Sequence, residues 1–129
     1  MDEAPYKRFI VVPKKIANRK HLKFLGKTNM SPGKMGSQIA HAVQRQAVKD
    51  APELVRKWQL SGETVIVLQI DGEKKLKAFH DYLNENEVQN TVYIDEGVTE
   101  VDEFTCTCLV SRVCTPEDYF FFSLLELYK

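Results

Sequence analysis

The chain has 129 residues, of which 43% are hydrophobic and 28% are charged, and its formal net charge is zero. This balance excludes a disordered or fibrous chain, and the length predicts a single domain over residues 1–129. No apolar run approaches the ~18 residues of a membrane span, and the charged start MDEAPYKRF lacks an apolar signal region. We therefore expect a cytoplasmic protein without a membrane segment.

The first half of the chain begins with a strand pattern and ends with a helix pattern. Residues 8–12 (RFIVV) predict a buried strand that ends at Pro13. A basic loop or short helix is expected at 14–29. Apolar residues at helical spacing then predict a helix from Met35 to about Lys49.

The middle of the chain predicts a helix, a buried strand and a second helix. Asp50 and Pro52 are typical of an N-cap and first turn, so a short helix is expected over 51–58. Residues 64–70 (TVIVLQI) predict a strand buried on both faces, as in a parallel sheet. Asp71 is expected to cap the helix that follows.

Two strands, 91–94 and 104–110, come next. The connection between them is too short for a crossover helix, so the strands should be antiparallel. Regular alternation along the second strand places Thr107 on the opposite face from Cys106 and Cys108.

A final helix is expected over 119–128 (YFFFSLLELY), after a capping Thr115. Its surface is apolar almost all round, which predicts contact with a second subunit as well as with the sheet. The element order predicts a three-layer α/β/α fold with a mixed four-stranded sheet, in which three strands are parallel and the last is antiparallel.

The zero net charge hides a division along the chain. Residues 4–49 carry eleven basic side chains and no acidic one, whereas 50–129 carry seven basic and sixteen acidic side chains. The asymmetry favours a basic face that binds an anion such as nucleic acid, and a solvated basic loop without a ligand is the alternative.

Candidate catalytic groups occur at two places that an α/β sheet brings to one edge, outside the carboxyl ends of its parallel strands. The first is a stripe on the first helix, formed by Lys34, Gln38, His41 and Arg45. The free backbone amides at the start of that helix suit an anion or an oxyanion. A solvated polar face is the alternative interpretation.

The second place is the end of the third strand, where Asp95 is followed by Thr99 and, on the next strand, by Thr107. A carboxylate and two hydroxyls near an amine could orient a water molecule. A simple turn is the alternative. The spacing of Cys106 and Cys108 lacks a second ligand pair, so the three cysteines are interpreted as reduced core residues, not metal ligands.

Together these motifs resemble the archaeal and eukaryotic type (type II) of peptidyl-tRNA hydrolase. That family's helix motif, M-G-K-G-K followed by x-A-A-Q-x-x-H-A, is matched by Met30, Gly33, Lys34, Gln38, His41 and Ala42. Its second motif, D-A-G-x-T-Q with a later Thr, is matched by Asp95, Gly97, Thr99 and Thr107. The ending LLELYK is similar to the family's H-L-K-L-Y.

The resemblance implies a homodimer that hydrolyses the ester between peptide and tRNA without metal or cofactor, and so releases tRNA. It implies Lys34, Asp95 and Thr99 as catalytic residues, with Thr107 and His41 beside them. For the substrate, peptidyl-tRNA, we add a set of binding residues from the basic half of the chain: Lys14, Lys15, Arg19, Lys20, Gln38 and Arg45.

The sequence also departs from the family pattern. Glu96, Val98 and Glu100 replace residues of the second motif, and the basic segment 14–29 is an insertion. The insertion could carry RNA contacts that the second motif has lost. An inactive RNA- or protein-binding module on the same scaffold is therefore the alternative hypothesis, and a hydrolase of another ester or amide is a third.

Overall fold

The computed structural model describes residues 4–15, 30–95 and 105–129. Its elements follow in the order β1 (Lys7–Lys15), α1 (Pro32–Ala47), α2 (Pro52–Leu60), β2 (Thr64–Gly72), α3 (Glu73–Glu85), β3 (Asn90–Asp95), β4 (Thr105–Cys114), a 3₁₀ helix (Pro116–Phe122) and β5 (Glu126–Leu127). No helix in these ranges is both long and apolar enough to cross a membrane.

The sheet has five strands in the order β3-β4-β1-β2-β5. β1 and β2 are parallel, and β4 is antiparallel to both of its neighbours, β1 and β3. β3 therefore runs in the same direction as β1 and β2, and their carboxyl ends share one edge. The predicted mixed α/β sheet is confirmed, with β5 as an additional short strand antiparallel to β2.

Apolar clusters cover both faces of the sheet. One cluster joins Phe9, Val11 and Leu109 to Leu76 and Leu83 of α3. The other joins the opposite faces of β1 and β4 to α1 and contains Ile10, Val12, Met35, Ala42 and Val110. Alternate residues of β1 thus enter different clusters, because successive side chains of a strand point to opposite faces. This arrangement gives the expected three layers.

Three local predictions are wrong for identifiable reasons. β1 continues through Pro13 to Lys15, because its pairing with β4 ends at Val11 and the missing N–H breaks no ladder on that side. Asp50 does not cap α2, whose N-cap is Ala51, because its carboxylate binds Arg8 instead. Asp71 likewise binds Lys75, and Gly72 occupies the cap position of α3.

The predicted final helix over 119–128 is also wrong. Thr115 is the N-cap, as expected, and it forms a capping box with Asp118, but it begins a 3₁₀ helix that ends at Phe122. The chain then turns, and Glu126–Leu127 pairs with β2 as an edge strand. Sheet pairing therefore overrides the helical pattern of the last residues.

Candidate active site

Helix α1 begins at the carboxyl-end edge of the sheet, beside the end of β3. Ser31 is its N-cap, and the Ser31 hydroxyl accepts a hydrogen bond from the backbone N–H of Lys34 at 3.2 Å. Pro32 occupies the first turn, where a missing N–H breaks no helical bond. This cap fixes Lys34 in the first turn of the helix.

The Lys34 ammonium binds the Asp95 carboxylate. Lys34 Nζ lies 2.8 Å from Asp95 Oδ1, and the two side chains are 11% and 10% exposed. Asp95 is the last residue of β3, so the strand delivers the carboxylate to the sheet edge at which α1 begins. The structure thus joins the two sequence motifs in a largely buried charge pair that keeps a small exposed fraction.

Gln38 connects this pair to the sheet. Its Nε2 donates to Asp95 Oδ1 at 3.4 Å, and its Oε1 accepts from the Thr107 hydroxyl at 2.7 Å. Thr107 is fully buried and also lies 3.2 Å from the carbonyl oxygen of Tyr93. Buried polar groups with partners hold one geometry, so Gln38 and Thr107 position the carboxylate.

A β-bulge places Thr107 in this site. Tyr93 pairs with Cys108 and Ile94 pairs with Cys106, so Thr107 is a surplus residue opposite β3. The predicted alternation along β4 is therefore wrong: Thr107 and Cys108 both contact Gln38 of α1. Bulges occur next to active sites because they redirect a side chain in this way.

Glu73 of α3 supports the bulge from the other face of the sheet. Its Oε2 accepts a hydrogen bond from the backbone N–H of Cys106 at 2.8 Å, immediately before the surplus residue. Lys77 holds the other carboxylate oxygen of Glu73 at 3.2 Å. The sequence offers no signal for this role, because the contact spans 33 residues and two elements.

The remaining residues of the helix stripe lie farther along α1. The His41 ring stacks on Tyr93, with ring centroids 4.9 Å apart and ring planes 10° apart. The Arg45 guanidinium carbon lies 4.8 Å from the centroid of the same ring. Tyr93 was not a predicted site residue, although its position two residues before Asp95 places both on one face of β3.

The predicted RNA-binding residues are only partly described. Lys14 is an exposed residue of β1, and its Nζ lies 3.9 Å from Asp71. Lys15 ends the same strand. Arg19, Lys20 and the predicted catalytic Thr99 lie outside the described residues.

The three cysteines are buried, and burial is the main cause of their raised pKa values. The pKa is raised to about 11 for Cys106, about 12 for Cys108 and about 11 for Cys114. All three thiols are therefore protonated near neutral pH, which makes them poor nucleophiles and poor metal ligands. The charged chemistry of the described site comes from Lys34 and Asp95.

Comparisons with known proteins agree on one family. The family profile of "Peptidyl-tRNA hydrolase PTH2" matches residues 6–117. A peptidyl-tRNA hydrolase from Thermococcus onnurineus is 29% identical over 107 residues, covering 81% of this chain and 80% of that protein. One from Haloquadratum walsbyi is 30% identical over 80 residues, covering 62% and 71%.

A solved structure supports the fold alone. A protein of unknown function from Agrobacterium tumefaciens is similar with a TM-score of 0.53 and 11% sequence identity, and the match covers 100% of both chains.

Proposed function

Because the chain belongs to the peptidyl-tRNA hydrolase PTH2 family, we propose that it hydrolyses the ester between a peptide and the 3′ ribose of tRNA. The observation that carries the proposal is the Lys34–Asp95 pair, 2.8 Å long and held by Gln38 at the mouth of the sheet. Water adds to the ester carbonyl carbon, the bond to the ribose 3′ oxygen breaks, and that oxygen takes up a proton. The products are free tRNA and a free peptide.

Each group of the site has a physical role in this proposal. Asp95 and Thr99 orient the attacking water, and Lys34 stabilises the negative oxygen of the tetrahedral intermediate. Lys34 lies in the first turn of α1, where the positive end of the helix dipole adds positive potential. We propose that this charge is supplied by the chain itself, without a metal ion or cofactor, and that the enzyme acts in the cytoplasm.

The direct test is release of tRNA from an N-blocked aminoacyl-tRNA. The parent protein should hydrolyse this substrate, and Lys34→Ala and Asp95→Asn should each lower kcat by ~10²–10³. Lys74→Ala, at an exposed lysine of α3, is the matched control and should match the parent. Parent-like activity of either site variant would show that these roles are wrong.

We also propose that the basic insertion holds the tRNA backbone. Lys14, Lys15, Arg19 and Lys20 lie in a stretch without acidic residues. Neutralising all four should flatten the dependence of log affinity on log salt by ~0.7–0.9 for each lost phosphate contact. Neutralising Lys57 and Lys74 is the control. An unaltered slope in the fourfold variant, with hydrolysis intact, would place the tRNA elsewhere.

A homodimer through the C-terminal face is the last part of the proposal. Phe120 is 72% and Leu124 is 95% exposed, and both line an apolar groove of about 320 Å³ with Phe79 and Tyr82. Contiguous exposed apolar surface of this kind is typical of an interface, and we assign it to a second copy of the chain.

Light scattering should then give twice the 14.9 kDa mass of the chain. Phe120→Glu combined with Leu124→Glu should give the monomer mass. Leu60→Glu is the control, because Leu60 is 82% exposed on α2 but does not line the groove. A monomeric parent protein would contradict the assignment.

A further inference from the structure

An exposed stack of three side chains follows the seam between α1 and β3. The His41 ring lies nearly parallel to the Tyr93 ring, and the Arg45 guanidinium lies against the same tyrosine. His41 and Arg45 are exposed, whereas Tyr93 is half-buried and packs against the core beneath α1. Core packing thus fixes the Tyr93 ring, and His41 and Arg45 pack against that ring at the surface.

The stack lies beside the reacting groups. Tyr93 precedes Asp95 by two residues on the same strand face, which separates their Cα atoms by roughly 6.5–7 Å. Lys34 precedes His41 by seven residues on α1, a rise of roughly 10 Å along the helix axis. A ligand bound on the stack would therefore lie roughly 7–10 Å from the ion pair.

Packing alone does not account for this surface. The seam below it is already closed by Met35, Ile39, Ala42 and Val43. One face of the imidazole lies on Tyr93, and the exposure of the residue leaves ring surface in contact with solvent. Aromatic faces next to arginine are typical of sites that stack unpaired RNA bases and bind the adjoining phosphate.

We propose that His41, Tyr93 and Arg45 form a subsite for a nucleobase at the unpaired 3′ end of the substrate RNA. The base stacks on the imidazole, and Arg45 binds a phosphate of the same segment. The inference rests on the proposed function, because the scissile ester is attached to the ribose that carries the terminal base. It assigns His41 and Tyr93 to substrate binding, which the sequence motifs did not.

The test measures RNA binding and does not depend on hydrolysis. The probe is a short single-stranded RNA with a free 3′ hydroxyl, labelled at its 5′ end and followed by fluorescence anisotropy. A matched RNA lacks the terminal base. His41→Ala should weaken binding of the intact RNA roughly 5- to 150-fold, the range for one stacked base, and should barely change binding of the abasic RNA.

Two variants separate stacking from other effects. His41→Phe restores a flat ring without an imidazole, so it should recover most of the affinity for the intact RNA. Gln44→Ala, at an exposed position on the same helix, is the control and should bind like the parent. Thermal melting of each variant verifies that it is folded.

The outcomes distinguish this proposal from the proposed function. If the parent hydrolyses peptidyl-tRNA while folded His41→Ala binds the intact RNA as the parent does, the stacking subsite is wrong and the enzyme assignment stands. If His41→Ala loses the affinity and His41→Phe regains it while the parent hydrolyses nothing, the subsite stands and the hydrolase proposal fails.

Discussion

Helix α1 carries two buried glutamines, and each joins a threonine hydroxyl to an aspartate. Gln38 accepts from Thr107 at 2.7 Å, and Gln46 accepts from Thr91 at the same distance. Gln38 Nε2 donates to Asp95 at 3.4 Å, whereas Gln46 Nε2 donates to its aspartate, Asp50, at 3.0 Å. The same connection from threonine through glutamine to aspartate therefore occurs twice, once at each end of the parallel strands.

The two clusters differ in their cation and in their exposure. Arg8 binds Asp50 at 2.5 Å with side chains 5% and 0% exposed, and it also donates to the carbonyl of Ser111 at 2.9 Å. Lys34 and Asp95 are 2.8 Å apart and 11% and 10% exposed. A planar guanidinium that binds two partners suits a closed cluster, and a compact ammonium suits a cluster that a ligand can enter. The greater exposure of its ion pair, more than its composition, distinguishes the candidate active site from the structural cluster.

The largest expected difference is between the losses of stability caused by replacing the two aspartates, Asp50 and Asp95. Asp50→Ala leaves the Arg8 charge buried without a carboxylate and should lower the free energy of unfolding by ~3–5 kcal/mol. Asp95→Ala should cost far less stability, because the Lys34 ammonium can turn towards water. Urea unfolding of both variants measures the contrast, and equal losses would contradict the distinction between the clusters.

Exchanging the cations sharpens the comparison. Arg8→Lys replaces two separate donor nitrogens by one, so it should lose the bond to Asp50 or to the Ser111 carbonyl and lower the free energy of unfolding by ~1.5–3 kcal/mol. Lys34→Arg keeps the charge near Asp95 and should leave stability nearly unchanged, but hydrolysis should fall roughly tenfold because the guanidinium has another shape. Arg8→Lys should therefore change the denaturation curve, and Lys34→Arg should change the rate of tRNA release.

The glutamines give a smaller effect of the same kind. Gln46→Leu removes one hydrogen bond from Asp50 and one from Thr91, and should cost ~1–2 kcal/mol of stability. Gln38→Leu should lower kcat more than it raises KM, because Gln38 positions Asp95 and is not expected to bind the RNA backbone. A larger change in KM than in kcat would assign Gln38 to substrate binding, as the sequence predicts.

The smallest effect concerns the cysteine beside each cluster. Cys108 Sγ lies 3.5 Å from the Gln38 carbonyl and Cys114 Sγ lies 3.5 Å from Ser111 Oγ. Burial raises both pKa values above the ordinary 9.0, to about 12 and about 11. Their contribution to stability is therefore complete below pH 9 and is lost as the pH rises from 9 towards the folded pKa.

At pH 9.0, the ordinary pKa of a thiol, the loss should be ~0.4 kcal/mol per thiol, and it should grow above that pH. Urea midpoints at neutral pH and above pH 9 measure it. Cys108→Ala should show a shallower alkaline decline than the parent. The same decline in both proteins would contradict the assignment to this thiol.

The sequence predicts the elements with strong local patterns and the site residues that lie on them. Lys34 lies at the beginning of an amphipathic helix and Asp95 ends a strand, and the topology of parallel strands brings both to one edge. Contacts between distant residues were not predictable. Asp50 has the sequence context of an N-cap, but Arg8, 42 positions earlier, binds it. Glu73 and Cys106 are equally remote in sequence.

The prediction of a final helix over 119–128 is wrong for a different physical reason. Ten residues rich in Phe and Leu satisfy a helical pattern, yet β2 has an open edge that accepts Glu126–Leu127. Whether these residues form a helix or an edge strand depends on the neighbouring strand β2, which is not part of the local sequence pattern.

The candidate site depends on the surplus residue of β4. It therefore depends on the number of residues in that strand as well as on their side chains. Replacing Thr107 by Ala would remove one hydroxyl and leave the bend. Deleting residue 107 would place Cys106 and Cys108 in succession opposite Ile94 and Tyr93, which restores an unbroken ladder. A redesign that removed the bulge to stabilise the sheet would therefore remove the candidate site, even though it introduced no unfavourable side chain.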